Sequence, residues 1–255
     1  VEKVDMREWI YGRNPVYEVL KAERREVYSL LIAQGTQERG RLADILALCK
    51  KKKIRTASVP RQKLDAIVSS HQGVALEVSE YEYVGLPDIL DHAQSRDEPA
   101  FILILDALQD PQNLGTLLRT AEAVGVHGVL IPLRHTVNVT PAVVNASSGA
   151  SEHLQIAQVN LAQAIQTLKK ENVWVVGLDH SPTAQLPGQT QLDGAIALVV
   201  GNEGQGMRSL VRDSCDFLLK LPMQGQIESL NAAVAGSIAL YWVWQARGFK
   251  VSEQA

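Results

Sequence analysis

From residue 100 onward the chain alternates short apolar runs with longer stretches of helical periodicity. The runs are Phe101–Leu105, Gly128–Pro132, Leu154–Gln158, Val173–Leu178, Ala195–Val200 and Phe217–Leu221. They are short and nearly continuous in apolar residues, which predicts strands buried on both faces. Between them, Pro111–Val124, Thr140–Ser147, Leu161–Glu171, Met207–Arg212 and Ser229–Arg247 predict helices. The last is the longest, with Ser229 or Glu228 as its cap and Gly248 as its stop. Strict alternation of strand and helix predicts an α/β fold with a mostly parallel sheet and helices on both faces.

The first 83 residues carry a second, smaller pattern. Asn14-Pro15 resembles a cap followed by proline in the first turn, opening a helix to Ala22. Val27–Ala33 predicts a strand. Arg39–Lys53 is amphipathic through Leu42, Ile45, Leu46 and Leu48 or Cys49. Ile54–Val59 predicts a strand, and Pro60 opens a short helix with Leu64, Ile67 and Val68. A turn at Ser69–Gly73 leads to a strand at Val74–Val78. Residues 84–99 are charged and contain Pro87 and Pro99, which predicts a linker holding a short helix. The expected organisation is a small α/β domain over 8–83, a linker over 84–99 and a larger α/β domain over 100–255.

Composition narrows the class. At 255 residues and 46 % hydrophobic, the chain can bury a substantial core. No apolar run approaches the roughly 20 residues of a membrane span. The start, VEKVDMREWIYGRN, is charged and lacks an apolar stretch, so no signal peptide is expected. Cys49 and Cys215 are far apart and outside any metal-ligand spacing, and the six histidines are scattered. A reducing compartment and no metal are expected, with a cytoplasmic location. Charge is uneven. Residues 1–85 hold 15 Lys/Arg against 12 Asp/Glu, and the remainder holds 10 against 16. The basic excess gathers at Lys50, Lys51, Lys52, Lys53, Arg55, Arg61 and Lys63. Such a patch suits an RNA backbone, and equally the solvated end of a helix.

Three polar clusters follow predicted strands. The first runs from Asp106 through Asn113 and Gly115 to Arg119. The second is Gly201-Asn-Glu203-Gly-Gln-Gly206-Met. The third is Leu221-Pro-Met223 through Ser229-Leu230-Asn231. Glycines bare the backbone in the second, which reads either as a pocket at a strand end or as a tight turn. Arg119 sits among apolar residues of its helix, which calls for a partner or ligand unless it lies on the solvent face. The GxGxxG fingerprint, the GK[ST] phosphate loop and the GxSxG elbow are all missing, which argues against a nucleotide-binding oxidoreductase and against hydrolases of that type.

Taken in order, N-x-G-x-x-x-R-T-A, G-N-E-G-x-G and L-P-M-x-G-x-x-x-S-L-N resemble the SpoU (TrmH-like, SPOUT superfamily) 2′-O-ribose methyltransferases of RNA. The resemblance spans nearly the whole chain. Tyr11-Gly12 and His71-Gln72-Gly73 are similar to the substrate-binding domain of the RlmB-like subgroup, which methylates a guanosine of bacterial large-subunit ribosomal RNA. The resemblance implies a trefoil-knotted C-terminal domain, a homodimer and S-adenosylmethionine as cofactor. It implies catalytic roles for Arg119, Asn113, Glu203, Ser229 and Asn231. It implies cofactor contacts at Gly201, Leu221, Leu230, Gly206 and Met223, largely through backbone groups. The basic residues Lys51, Lys52, Lys53, Arg55 and Arg61 are expected to hold RNA. A tRNA substrate is the nearest alternative, and a non-catalytic RNA-binding protein is an alternative from another class.

Overall fold

The computed structural model describes residues 6–68, 70–227 and 229–250. Ser69 of the expected turn and Glu228, one of the two expected caps, lie outside the described residues. The chain divides into two compact units. One comprises the chain up to Glu82 together with Asn138–His153, and the other comprises Tyr83–Val137 and the chain from Leu154 on.

The first unit contains β1 (Arg7–Tyr11), α1 (Arg13–Ala22), β2 (Val27–Ala33), α2 (Arg41–Lys51), β3 (Arg55–Val59), α3 (Arg61–Asp65) and β4 (Val74–Ser79). The sheet order is β1-β4-β2-β3. β4 pairs antiparallel with β1 and β2, while β3 pairs parallel with β2. β1 is absent from the sequence reading, because only Ile10 of its five residues is fully buried and charge masks the alternation. Register places Ile10, Leu30 and Leu76 on one face, which α1 covers. The opposite face buries Leu31, Ala33, Val59 and Ala75 against Leu64 of α3. α1 begins two residues earlier than Asn14-Pro15 suggested. Gly12 holds the cap position at φ 86°, a conformation natural to glycine.

The second unit contains α4 (Leu86–Ser95), β5 (Phe101–Leu105), α5 (Pro111–Ala123) and β6 (Gly128–Pro132). After α6 (Pro141–Ala146), which belongs to the first unit, come β7 (Ile156–Val159), α7 (Leu161–Lys170) and β8 (Trp174–Leu178). β9 (Ile196–Val200), α8 (Ser209–Asp213), β10 (Phe217–Leu219) and α9 (Ala232–Ala246) complete it. Its six strands run β10-β8-β9-β5-β6-β7, and every neighbouring pair is parallel. β5, β6 and β9 are buried at every residue, as continuous apolar strands in a parallel sheet must be. Residues 84–99, expected as a linker, hold α4, which buries Leu86, Ile89 and Ala93 in this unit's core. A Cβ on Gly128 would come within 2.4 Å of Ile89, so glycine lets α4 sit close to β6.

Two expected boundaries are corrected. β10 ends at Leu219 rather than Leu221, because Lys220 N–H turns to Gln185 O instead of a strand partner. α9 starts at Ala232 rather than Ser229, because the Asn231 side chain accepts from Ala233 N–H (2.9 Å) and Val234 N–H (3.2 Å). An asparagine so placed satisfies donors that a helix start otherwise leaves unpaired.

From β5 the chain steps outward to β6 and β7, then returns to β8 on the far side of β9. The winding therefore reverses between β5 and β9, and in such sheets ligands bind outside the carboxyl ends at the reversal. α9 packs on α5 and β9. Gly236 permits this approach, since a Cβ there would lie 2.6 Å from Leu117 and 3.0 Å from Val200. At its far end Arg247 donates to Pro99 O, Ala100 O and Gly194 O at 2.7–3.0 Å and lies over the Phe101 ring. Burial pulls its guanidinium pKa down to about 10. Among the described residues no helix is long and apolar enough to cross a membrane, and no cluster of three or more His, Cys, Asp or Glu is placed to hold a metal.

Candidate active site

Three loops meet at the carboxyl edge of this sheet. The segment after β5 turns at Ala107, a non-glycine at φ 60°, and enters α5 through Asp110. Asp110 caps that helix by accepting from Gln112 N–H and Asn113 N–H at 3.1 and 3.2 Å. This fixes Asn113 in the first turn. The loop after β9 is closed by reciprocal backbone bonds between Asn202 and Gly206, at 2.9 and 3.0 Å. The segment after β10 delivers Asn231 to the head of α9.

Three of the expected residues form one hydrogen-bonded group. Asn231 Nδ2 donates to Asn113 Oδ1 (2.9 Å) and to Glu203 Oε2 (3.3 Å). Asn113 Nδ2 donates to the same Glu203 oxygen at 3.4 Å. The amide of Asn231 has only one possible orientation, because its oxygen is taken up by α9. That forces its nitrogen toward Asn113 and Glu203. One carboxylate oxygen of Glu203 thus receives two donors, and Oε1 has no protein partner among the described residues. Arg119 is exposed on α5, six residues beyond Asn113. Ser229 and Leu230 are exposed just ahead of α9, and Leu221 and Met223 lie in the segment after β10.

The glycine loop is built for closeness to itself. Gly201 is buried, and a Cβ on it would lie 2.3 Å from the backbone of Gly206 and Met207. Gly206 is exposed at φ 66° with open space beside it. The sequence reading left two choices for this loop, a pocket or a tight turn. Gly201 serves the turn directly, and Gly206 is where the backbone faces outward. Outside the loop, Met223, Ile227 and Leu230 expose apolar surface.

Two further residues were missed. Asp106, fully buried at the end of β5, accepts from Arg208 N–H, Nε and Nη2, each at 2.7 Å. Asn202 Nδ2 donates to Ala107 O at 3.0 Å. The glycine loop is therefore clamped to the end of β5 on both sides. The legible signal was an aspartate directly after the apolar run FILIL, where burial demands a partner. Of the residues expected to hold RNA, Lys52 is paired with Glu23, and Lys51 closes the last turn of α2, where a cation suits the helix dipole. Lys53 follows at φ 56°. Arg55 stands on β3 and Arg61 opens α3, both exposed.

The sequence and the fold have known counterparts. Residues 100–241 match the SpoU rRNA methylase family, and residues 9–84 match the substrate-binding domain of RNA 2′-O-ribose methyltransferases. The chain belongs to the SpoU rRNA methylase family. Among SpoU relatives, Bacillus subtilis YacO, assigned to the TrmH family of tRNA/rRNA methyltransferases, is 44 % identical over 94 % of this chain and 96 % of its own. The fold matches the SpoU methyltransferase AviRb of Streptomyces viridochromogenes, solved with S-adenosylmethionine, at a TM-score of 0.79 and 21 % identity. That match covers 96 % of this chain and 92 % of AviRb. An S-adenosylmethionine-bound rRNA methyltransferase of Sinorhizobium meliloti matches at a TM-score of 0.78 and 24 % identity, over 96 % and 88 % of the two chains. The chain thus combines an α/β unit built on a parallel six-stranded sheet with a separate N-terminal substrate-binding unit.

Proposed function

We propose that this SpoU-family chain uses S-adenosylmethionine to methylate a ribose 2′-hydroxyl, on a guanosine of bacterial 23S ribosomal RNA. The observation that carries the reading is the Asn113–Glu203–Asn231 group, which joins all three motifs at the sheet reversal. The match of residues 9–84 to the substrate-binding domain of RNA 2′-O-ribose methyltransferases supports RNA as the substrate. The reading includes the cytoplasm as location, the trefoil threading of residues 220–246 and a homodimer. The dimer is supported by α9, whose apolar stripe of Val234, Ile238 and Tyr241 is not fully buried within the chain.

The residues present fit the cofactor by chemistry. An adenosyl group needs backbone donors and acceptors and apolar cover. The exposed backbone at Gly206 and the segment from Leu221 to Leu230 offer both, with Met223 and Leu230 as apolar surface and Gly201 holding the loop closed. When bound, S-adenosylmethionine supplies a methyl group made electrophilic by its sulfonium. The protein's task is to hold the ribose and take the hydroxyl proton. The Arg119 guanidinium carries donors and no acceptor, and it serves as a donor to the neighbouring phosphate and to the hydroxyl oxygen. Glu203 has Oε1 to accept the proton, while Asn113 and Asn231 hold Oε2. Ser229, exposed two residues before Asn231, is a further donor to the substrate.

Arg119→Ala tests this. Turnover of labelled methyl into ribosomal RNA should fall about 10²–10³-fold, as when one transition-state donor is removed. Calorimetric affinity for S-adenosylmethionine should stay within a few-fold. Equal loss of both would refute a chemical role. Mapping the labelled nucleotide in ribosomal RNA and tRNA decides between the two substrates.

A further inference from the structure

The loop that carries Glu203 has to keep one shape, and its own sequence works against that. Gly201, Gly204 and Gly206 fall within the eight residues from Gly201 to Arg208. Glycine loses more conformational freedom on being fixed than any other residue. Inside the loop, Asn202 and Gly206 exchange backbone bonds, and Gly204 N–H donates to Asn202 Oδ1 at 2.9 Å. These bonds shape the turn but do not aim it. Met207 lies in the core, and an unbranched methionine adapts to several backbone placements.

Asp106 holds the loop at both ends. Its N–H donates at 2.8 Å to the carbonyl of Val200, the last residue before the loop. Its Oδ2 accepts at 2.7 Å from the N–H of Arg208, the last residue of the loop. Its Oδ1 accepts from Arg208 Nε and Nη2, so one carboxylate fixes both the backbone and the side chain of Arg208. The next residue, Ala107, makes a third attachment, its carbonyl accepting from Asn202 Nδ2 at 3.0 Å. Ala107 stands at φ 60°, which a residue with a Cβ adopts only where its surroundings demand it. Six residues further on, past the Asp110 cap, is Asn113. Asn113 and Glu203 are thus both placed from the Asp106–Ala107 step, one along the chain and the other across the loop.

Energetics favour a geometric role. Asp106 is fully buried, while the Arg208 side chain is half exposed. A buried ion pair stabilises a fold no better than apolar side chains of similar volume. What the carboxylate adds is direction, with three donors converging on two oxygens at 2.7 Å. We propose that Asp106, acting through Arg208, is a positioning residue for methyl transfer, holding the glycine loop where Glu203 meets Asn113 and Asn231. Being fully buried, it acts through Arg208 and not on the substrate. The inference rests on Glu203 accepting the ribose hydroxyl proton.

Asp106→Asn in the full chain tests it. The amide turns an NH₂ toward either the Arg208 N–H or the guanidinium, so one grip is lost in either orientation and no buried charge is left behind. At saturating S-adenosylmethionine and ribosomal RNA, kcat should fall about 10–100-fold, the scale of a misplacement of about 1 Å. The melting temperature should stay near that of the wild type. In a Glu203→Gln background the same substitution should cost nothing further, because the two residues act in series. Hydrogen exchange gives a readout apart from activity, and it decides the matter where Glu203→Gln leaves no measurable rate. The backbone amides of Asn202 and Gly206 should exchange at least about tenfold faster, with those of β5 and β9 unchanged, as in a local opening. Arg208→Gln should reproduce both effects from the other side of the pair. The inference is overturned if Asp106→Asn keeps the wild-type kcat, if its loss is as large beside Glu203→Gln as alone, or if the Asn202 and Gly206 amides exchange as in the wild type. A lower melting temperature with all amides exchanging faster also overturns it, since Asp106 is then a general support. Glu203→Gln with wild-type kcat refutes the proton-accepting role and this inference with it. An impaired Glu203→Gln beside an unimpaired Asp106→Asn refutes the positioning role alone.

Discussion

Asn231 concentrates three tasks in one amide. Its oxygen starts α9, and its nitrogen holds Asn113 and Glu203 together. Replacing it separates these tasks. Asn231→Asp keeps a capping oxygen but removes both donors and sets a second carboxylate beside Glu203. Methyl transfer should fall at least about 10²-fold, as for other lost active-site donors, while the melting temperature stays near that of the wild type. Asn231→Ala should show the same loss of activity and also about 1 kcal/mol of destabilisation, the usual value of a helix cap. Gly201 makes a different kind of prediction. Gly201→Ala puts a methyl 2.3 Å from the backbone of Gly206 and Met207, which must shift to admit it. Overpacking of this kind costs about 1–3 kcal/mol. The variant should unfold at lower urea and bind S-adenosylmethionine more weakly, and wild-type values of both would show that the loop opens without cost. The motif residues were legible because polar side chains ended apolar runs. The Asp106–Arg208 clamp was not, since its partners lie 102 positions apart.

At the level of elements, the strands of the larger unit were the easiest to read. Phe101–Leu105 and Gly128–Pro132 appear with the boundaries their apolar runs suggest. Burial on both faces leaves no alternation to misread. β1 and α4 were harder. β1 spends Glu8 on Arg25 and exposes Arg7, so its alternation looks polar. α4 looked like a linker because of its charge and prolines, although Pro87 sits in its first turn, where proline is tolerated. The start of β5 also carries a pH-dependent tie. His127 Nδ1 accepts from Phe101 N–H at 2.9 Å, and its Nε2 faces Glu98 at 3.0 Å. Burial lowers its pKa from the ordinary 6.5, against the opposing pull of Glu98. Below that value the unfolded chain takes up a proton that the folded one resists, so this contribution is complete above pH 6.5 and shrinks as pH falls. His92, edge-on to His127 with a centroid separation of 6.0 Å, is shifted the same way by burial. The urea midpoint of the wild type should drop between pH 7.5 and 5.5 by more than that of His127→Gln, and equal drops would remove His127 from the account.

For the whole molecule, the two units are interleaved along the chain. Asn138–His153 leaves the larger unit's sequence and joins the smaller unit. The joint is a buried ion pair. Arg25 donates to both oxygens of Glu152 at 3.0 and 2.9 Å, and neither side chain is exposed. Glu8 adds a third contact at 2.7 Å. Breaking such a pair from one side costs about 3–5 kcal/mol, because the remaining charge stays buried. Glu152→Ala should therefore lower the unfolding midpoint of the smaller unit sharply. Replacing both Arg25 and Glu152 with apolar residues should recover part of the loss. A midpoint unmoved by Glu152→Ala would show that apolar packing alone holds the segment. Nothing in local sequence pattern announces a partner 127 residues away. The same separation in sequence gives the active-site group a timetable. Asn113 and Asn231 are 118 residues apart, so at about 5–20 residues per second a ribosome needs roughly 6–24 s to add the second after the first. Over the last 28 of those residues Asn113 and Glu203 are both made but lack the amide that joins them. The nascent protein then has at least five of the larger unit's six strands and still lacks its completed site.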